Sequence, residues 1–125
     1  MRGVDIATAF AQAVADKDSQ RLSAVLAPQV DFRGLTPNQS WEAGDAEAVV
    51  DIFFDRWFEP KDEIEELVSV ETGAMADRDW FAYRLRGHNP DGPFLVEQNA
   101  FFAERDGRIE WMRVLCSGFR PAGPT

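Results

Sequence analysis

Apolar positions in the first part of the chain recur at three- and four-residue spacing. Over residues 5–16 they are Ile6, Phe10, Ala13 and Val14, which form one stripe of a helix. Ser19 or Asp18 is placed to cap a short second helix carrying Leu22, Val25 and Leu26, stopped by Pro28. Val30 and Phe32 alternate with Asp31 and Arg33 as in a short half-buried strand, and Gly34, Pro37 and Asn38 mark a turn. Asp45 is the expected N-cap of a third helix, with Val49, Ile52, Phe53 and Trp57 on one face and Pro60 ending it.

The period then changes. Residues 64–73, 80–86, 94–104 and 109–118 are rich in Val, Phe, Trp and Leu, each bounded by turn chemistry. Asp106-Gly107 is a strong hairpin signal, because Gly tolerates the positive φ of a tight primed turn. Asn89-Pro90-Asp91-Gly92 reads as a longer turn, residues 76–78 join the first pair, and residues 121–125 read as a loose tail. Three helices followed by long antiparallel strands predict an α+β fold in one domain, 1–125, with the helices covering one face of a twisted, curving sheet.

Strand alternation sorts the side chains into two faces. Phe81, Tyr83, Val96, Gln98, Ala100, Phe102, Met112, Val114 and Cys116 form the more apolar set, without a full charge, and are assigned to the interior. Trp80, Arg84, Arg86, Glu97, Asn99, Phe101, Trp111, Arg113 and Ser117 form the outer set; its mixture of aromatics and charges suits a homodimer interface or a solvated face with cross-strand ion pairs.

Composition narrows the chemistry. A net charge of −9 argues against general affinity for nucleic acid or an anionic membrane. One cysteine makes no internal disulfide, no apolar run approaches the roughly 20 residues that span a bilayer, and the first residues lack a signal peptide's apolar stretch; a cytoplasmic location is expected. One Cys and one His do not make a structural zinc site, and no Gly-rich phosphate loop follows a strand, so neither metal nor cofactor is expected. Ten Phe, four Trp and one Tyr supply aromatic area for a core or for the wall of a ligand pocket.

The run Val96-Glu97-Gln98-Asn99-Ala100-Phe101-Phe102, then Asp106-Gly107-Arg108-Ile109, then Leu115-Cys116-Ser117-Gly118-Phe119 resembles the nuclear transport factor 2-like superfamily, particularly its SnoaL-like branch. Trp41-Glu42-Ala43-Gly44 leading into Asp45-Ala46-Glu47 is similar to bacterial members. The resemblance covers nearly the whole chain. It implies a cone-shaped sheet wrapped around three N-terminal helices, an internal pocket, and dimerisation through the outer face. It also implies a wide choice of activity, since the superfamily holds ketosteroid isomerases, epoxide hydrolases, dehydratases and polyketide cyclases. Where the epoxide hydrolases carry an Arg and two Asp, this chain aligns Phe81, Tyr83 and Val114, so that activity is not expected.

The leading expectation is a protein binding a hydrophobic small molecule in an aromatic-lined pocket. The interior set supplies its wall, with Trp41, Phe53 and Trp57 closing the helical side. Tyr83 and Gln98 are either polar anchors for the ligand or a pair that satisfies itself in the core. Cys116 reads as a small buried hydrophobe. An enzyme of the isomerase, dehydratase or cyclase type is the alternative, with Tyr83 as hydrogen-bond donor and Glu42 or Asp31 as base. Asp55 on the third helix and His88 in its turn read as solvated. A structural dimer with an incidental cavity is the third reading.

Overall fold

Two aspartates open the shorter helices. The computed structural model describes the backbone of residues 3–121 and the side chains from Ile6 to Pro121. After helix α1 (Gly3–Ala15), Asp18 Oδ1 accepts the Arg21 amide at 3.1 Å and caps α2 (Ser19–Ala24), so Asp18 rather than Ser19 is the cap. Asp45 Oδ1 accepts the Ala48 amide at 2.7 Å and caps α3 (Ala46–Asp51), as expected. Beyond Asp51 the helix widens into a π-helical turn (Ile52–Trp57), with the Phe58 amide reaching back five residues to the Phe53 carbonyl at 2.7 Å. Phe53, Trp57 and Phe58 are consequently all buried.

The strands are β1 (Leu26–Thr36), β2 (Gln39–Asp45), β3 (Glu63–Met75), β4 (Arg78–Asn89), β5 (Gly92–Arg105), β6 (Arg108–Cys116) and β7 (Arg120–Pro121). They form one curved mixed sheet in the order β2-β1-β6-β5-β4-β3, with β7 on β5. Among the described residues only β1 and β6 pair in parallel. α1 packs against β3 and β4, and α3 against β1 and β2, so the helices cover one face.

Several expectations change. Val25 is the C-cap of α2 and Leu26 already opens β1, because α2 ends a turn early. Pro28 lies inside β1, within the break of register against β6 between Leu26 and Asp31, consistent with its missing N–H. Gly34 is a strand residue rather than a turn: a Cβ there would stand 2.8 Å from the Trp57 ring, so glycine lets the indole lie against the backbone. β2 falls where a turn and a rim were expected. It is a largely exposed edge strand with little apolar alternation to reveal it. Asn89 pairs directly with Gly92 and its Oδ1 accepts the Asp91 amide at 2.9 Å, making a two-residue turn instead of a longer one. Pro121, expected to open a loose tail, pairs with Phe94 as Arg120 does with Leu95; residues 122–125 of that tail lie outside the described residues.

The hairpin at Asp106-Gly107 is as expected, with φ of 54° and 79°. So is the strand phase. Phe81, Tyr83, Val96, Gln98, Ala100, Phe102, Met112 and Val114 are all buried, whereas Arg84 and Arg86 are exposed. An extra residue at Glu110, where Ala103-Glu104 faces Trp111 and Ile109, lets Ile109 and Met112 both turn inward despite opposite parity.

Candidate functional site

The concave side of the sheet is filled by side chains from the helices. Phe10 of α1 meets Phe53 at 5.4 Å and Phe81 at 5.5 Å between ring centroids, both edge to face. Phe81 stacks on Tyr83 at 5.6 Å and meets Phe102 at 5.4 Å. Of the residues expected to line one pocket, Phe53, Phe81, Tyr83, Gln98, Ala100, Phe102, Met112 and Val114 thus lie in a close-packed core. The sequence showed Phe10 only as part of a helical stripe; its position among these rings follows from how α1 docks.

A cavity of about 180 Å³ remains where the ends of β1 and β6 meet the π-helical turn. Trp41, Trp57, Val96 and Cys116, four of the expected residues, are on its wall. Thr36, Arg56, Phe58, Gly118 and Phe119 complete it. Arg56 and Phe58 carry no sequence signal of their own, because the π-helical widening decides which side of the helix they occupy. Gly118 and Phe119 end the run that carried the family resemblance. Gly118 takes φ of 72°, turning the chain after β6. Wider depressions of about 350 and 410 Å³ lie elsewhere, one on the outer face beside Leu35 and Leu115, the other around Lys61 and Asp91.

The cavity is largely apolar, and its polar groups are few. Trp41 Nε1–H donates to Thr36 Oγ1 at 2.9 Å. Trp57 Nε1–H is buried with no acceptor among the described residues, an omission worth about 1–3 kcal/mol. A polar chain leads from Cys116 into the core: Tyr83 O–H donates to Gln98 Oε1, and Gln98 Nε2–H donates to Cys116 Sγ at 3.3 Å. Burial pushes the Tyr83 hydroxyl well above its ordinary value of 10.0 and raises the Cys116 thiol. Both therefore stay neutral near pH 7. Tyr83 and Gln98 satisfy one another, the self-contained arrangement of the two considered.

The candidate bases lie elsewhere. Glu42 stands 3.3 Å from Arg33 and Asp31 3.1 Å from Arg113, all four at the surface or half-buried. Neither carboxylate is brought to Tyr83. Asp55 is exposed, and its pKa is raised because its protonated carboxyl can donate to the Asp51 carboxylate, whose charge also disfavours ionisation. His88 sits half-exposed between Glu63 at 2.8 Å and Glu65 at 3.0 Å. The one buried acid among the described residues, Asp62, accepts the Glu59 amide at 3.0 Å and Asn89 Nδ2 at 2.9 Å, a structural role. Among the described residues no three His, Cys, Asp or Glu side chains gather as a metal site requires, and no helix is long and apolar enough to cross a membrane.

No family model matches the chain, and no curated protein is similar to it in sequence. Solved structures resemble it in fold. A candidate isomerase from Bacillus subtilis is 17% identical, with a TM-score of 0.72 over 94% of this chain and 90% of that one. IdmH of Streptomyces antibioticus, a candidate polyketide cyclase, is 18% identical with a TM-score of 0.70 over 93% and 92%. An NTF2-like protein of unknown function from Mesorhizobium loti is 21% identical with a TM-score of 0.64 over 92% and 90%. At such identities the likeness speaks for architecture alone. Element order, the curved mixed sheet and the helices on its concave side together give this chain the cone of the nuclear transport factor 2-like fold.

Proposed function

We propose that the chain binds one small, largely apolar molecule in the 180 Å³ cavity between the π-helical turn and the ends of β1 and β6. The carrying observation is that this cavity, walled by Trp41, Trp57, Phe58, Val96 and Phe119, stays open beside an otherwise tightly packed core. No carboxylate stands on its wall, which favours binding over acid–base catalysis. Its size suits a compact ligand: a cavity of about 150 Å³ holds benzene, whereas drug-sized ligands use about 300–1,000 Å³. Thermal-shift measurements with single-ring compounds test the reading. At ten times Kd a ligand stabilises by about 1.4 kcal/mol, a rise of a few degrees in Tm. Val96→Phe, which fills the cavity, is expected to abolish that rise. An equal rise in the filled variant would place binding elsewhere.

A homodimer through the outer face forms part of the same proposal. Leu35 and Leu115 pair across β1 and β6, are each about half exposed (52% and 50%), and border the outer depression with Phe101. Arg33, Glu42 and Arg113 border the same depression and supply its polar rim.

A further inference from the structure

The cavity wall carries one charge, and it is positive. Arg56 is exposed at its edge and forms no ion pair with any described side chain. Asp55, next to it in the chain, is the acid that feels its charge, and it is not on the wall. Next to Arg56 in the chain, Trp57 is on the cavity wall, and its buried Nε1–H finds no acceptor among the described residues. The remaining polar wall atoms are spoken for: Thr36 Oγ1 accepts from Trp41 Nε1, and Cys116 Sγ accepts from Gln98. Two wall residues beside an apolar space of single-ring size therefore keep an unused donor, the exposed Arg56 guanidinium and the buried Trp57 indole N–H. A ligand that satisfies both carries an anionic oxygen pair. A guanidinium meets a carboxylate with two parallel N–H···O bonds, and a second carboxylate lone pair remains for the indole.

Resting on the binding function proposed above, we infer that the ligand is a monocyclic carboxylate. Its ring lies among Trp41, Phe58, Val96 and Phe119, and its carboxylate accepts from the Arg56 guanidinium and from Trp57 Nε1–H. Nε1 is shielded from water, so the second contact takes a modest side-chain shift, with the flexible exposed Arg56 free to follow the ligand.

Benzoate and toluene share a ring and differ in the carboxylate, so the intact chain is titrated with each by calorimetry. Benzoate is expected to bind about tenfold or more tightly than toluene. Arg56→Gln, at an exposed position that does not threaten folding, is expected to lower the benzoate-to-toluene affinity ratio about tenfold. Trp57→Phe lowers the same ratio and identifies the Trp57 indole signal by its disappearance. In ¹H–¹⁵N spectra of the unmodified protein that indole proton moves downfield with benzoate and not with toluene. Equal binding of both compounds, with a ratio indifferent to Arg56→Gln, overturns the carboxylate and leaves the apolar cavity standing. Benzoate binding that leaves the Trp57 signal in place overturns the indole contact. No binding of either compound at millimolar concentration defeats this inference together with the function it rests on.

Discussion

Tyr83 and Gln98 carry the largest polar stake in the core, because each is the other's partner in a space water does not reach. Tyr83→Phe leaves Gln98 Oε1 buried without its donor, and Gln98→Leu leaves the phenol unpaired. Each is expected to cost about 1–3 kcal/mol in denaturant unfolding. The double variant removes both polar groups at once and is expected to lose clearly less than the sum of the two. Additive losses would show that the two side chains do not act as a pair. The sequence placed both on the inner face, since strand phase is a local property. It left open whether they faced a ligand or one another. Phe10 decides that: arriving from α1, its ring lies against Phe81 and near Tyr83, where a ligand would otherwise stand.

Helices and strands were legible to the degree that their signals were local. Asp18 and Asp45 cap as their side chains predict, and the Asp106-Gly107 turn adopts the positive φ its residues tolerate. β2 was not legible, because an exposed edge strand needs no apolar alternation; its identity rests on pairing with β1. The π-helical turn was equally hidden, since its five-residue hydrogen bond is a choice made by packing Phe53, Trp57 and Phe58 together. At this scale one pH effect follows. His88 on β4 is held by Glu65 and Glu63 of β3, which raise its pKa above 6.5. A raised folded pKa means that this contribution is fully present below pH 6.5 and fades as pH rises through the folded value. The Tm advantage of the unmodified chain over His88→Gln is therefore expected to be greatest under mildly acidic conditions and to vanish in alkaline ones. A pH-independent difference would exclude the charge as its cause.

At the scale of the whole molecule, the cone presents two surfaces of opposite character. Its inner face is a core with a small cavity at its margin, and its outer face presents Leu35, Leu115 and Phe101 beside charged side chains. If the outer patch holds two copies together, light scattering at micromolar concentration gives twice the 14.1 kDa chain mass. Leu115→Glu, a buried like-charge pair at a two-fold interface, is then expected to return the monomer. A monomeric unmodified chain would remove the dimer.

By itself the sequence determined the α+β class, the helix caps, the Asp106-Gly107 hairpin and the inner and outer faces of the last strands. These depend on neighbours a few residues away or on the period of two that every strand shares. Only the tertiary structure decided how much of the inner face is open. Cavity volume is the small remainder after large side chains from distant segments, Phe10, Phe53 and Phe81 among them, have filled the cone. No local pattern sets such a remainder, and for the same reason only the fold could bring Arg56 and an unsatisfied Trp57 to the edge of the space that was left.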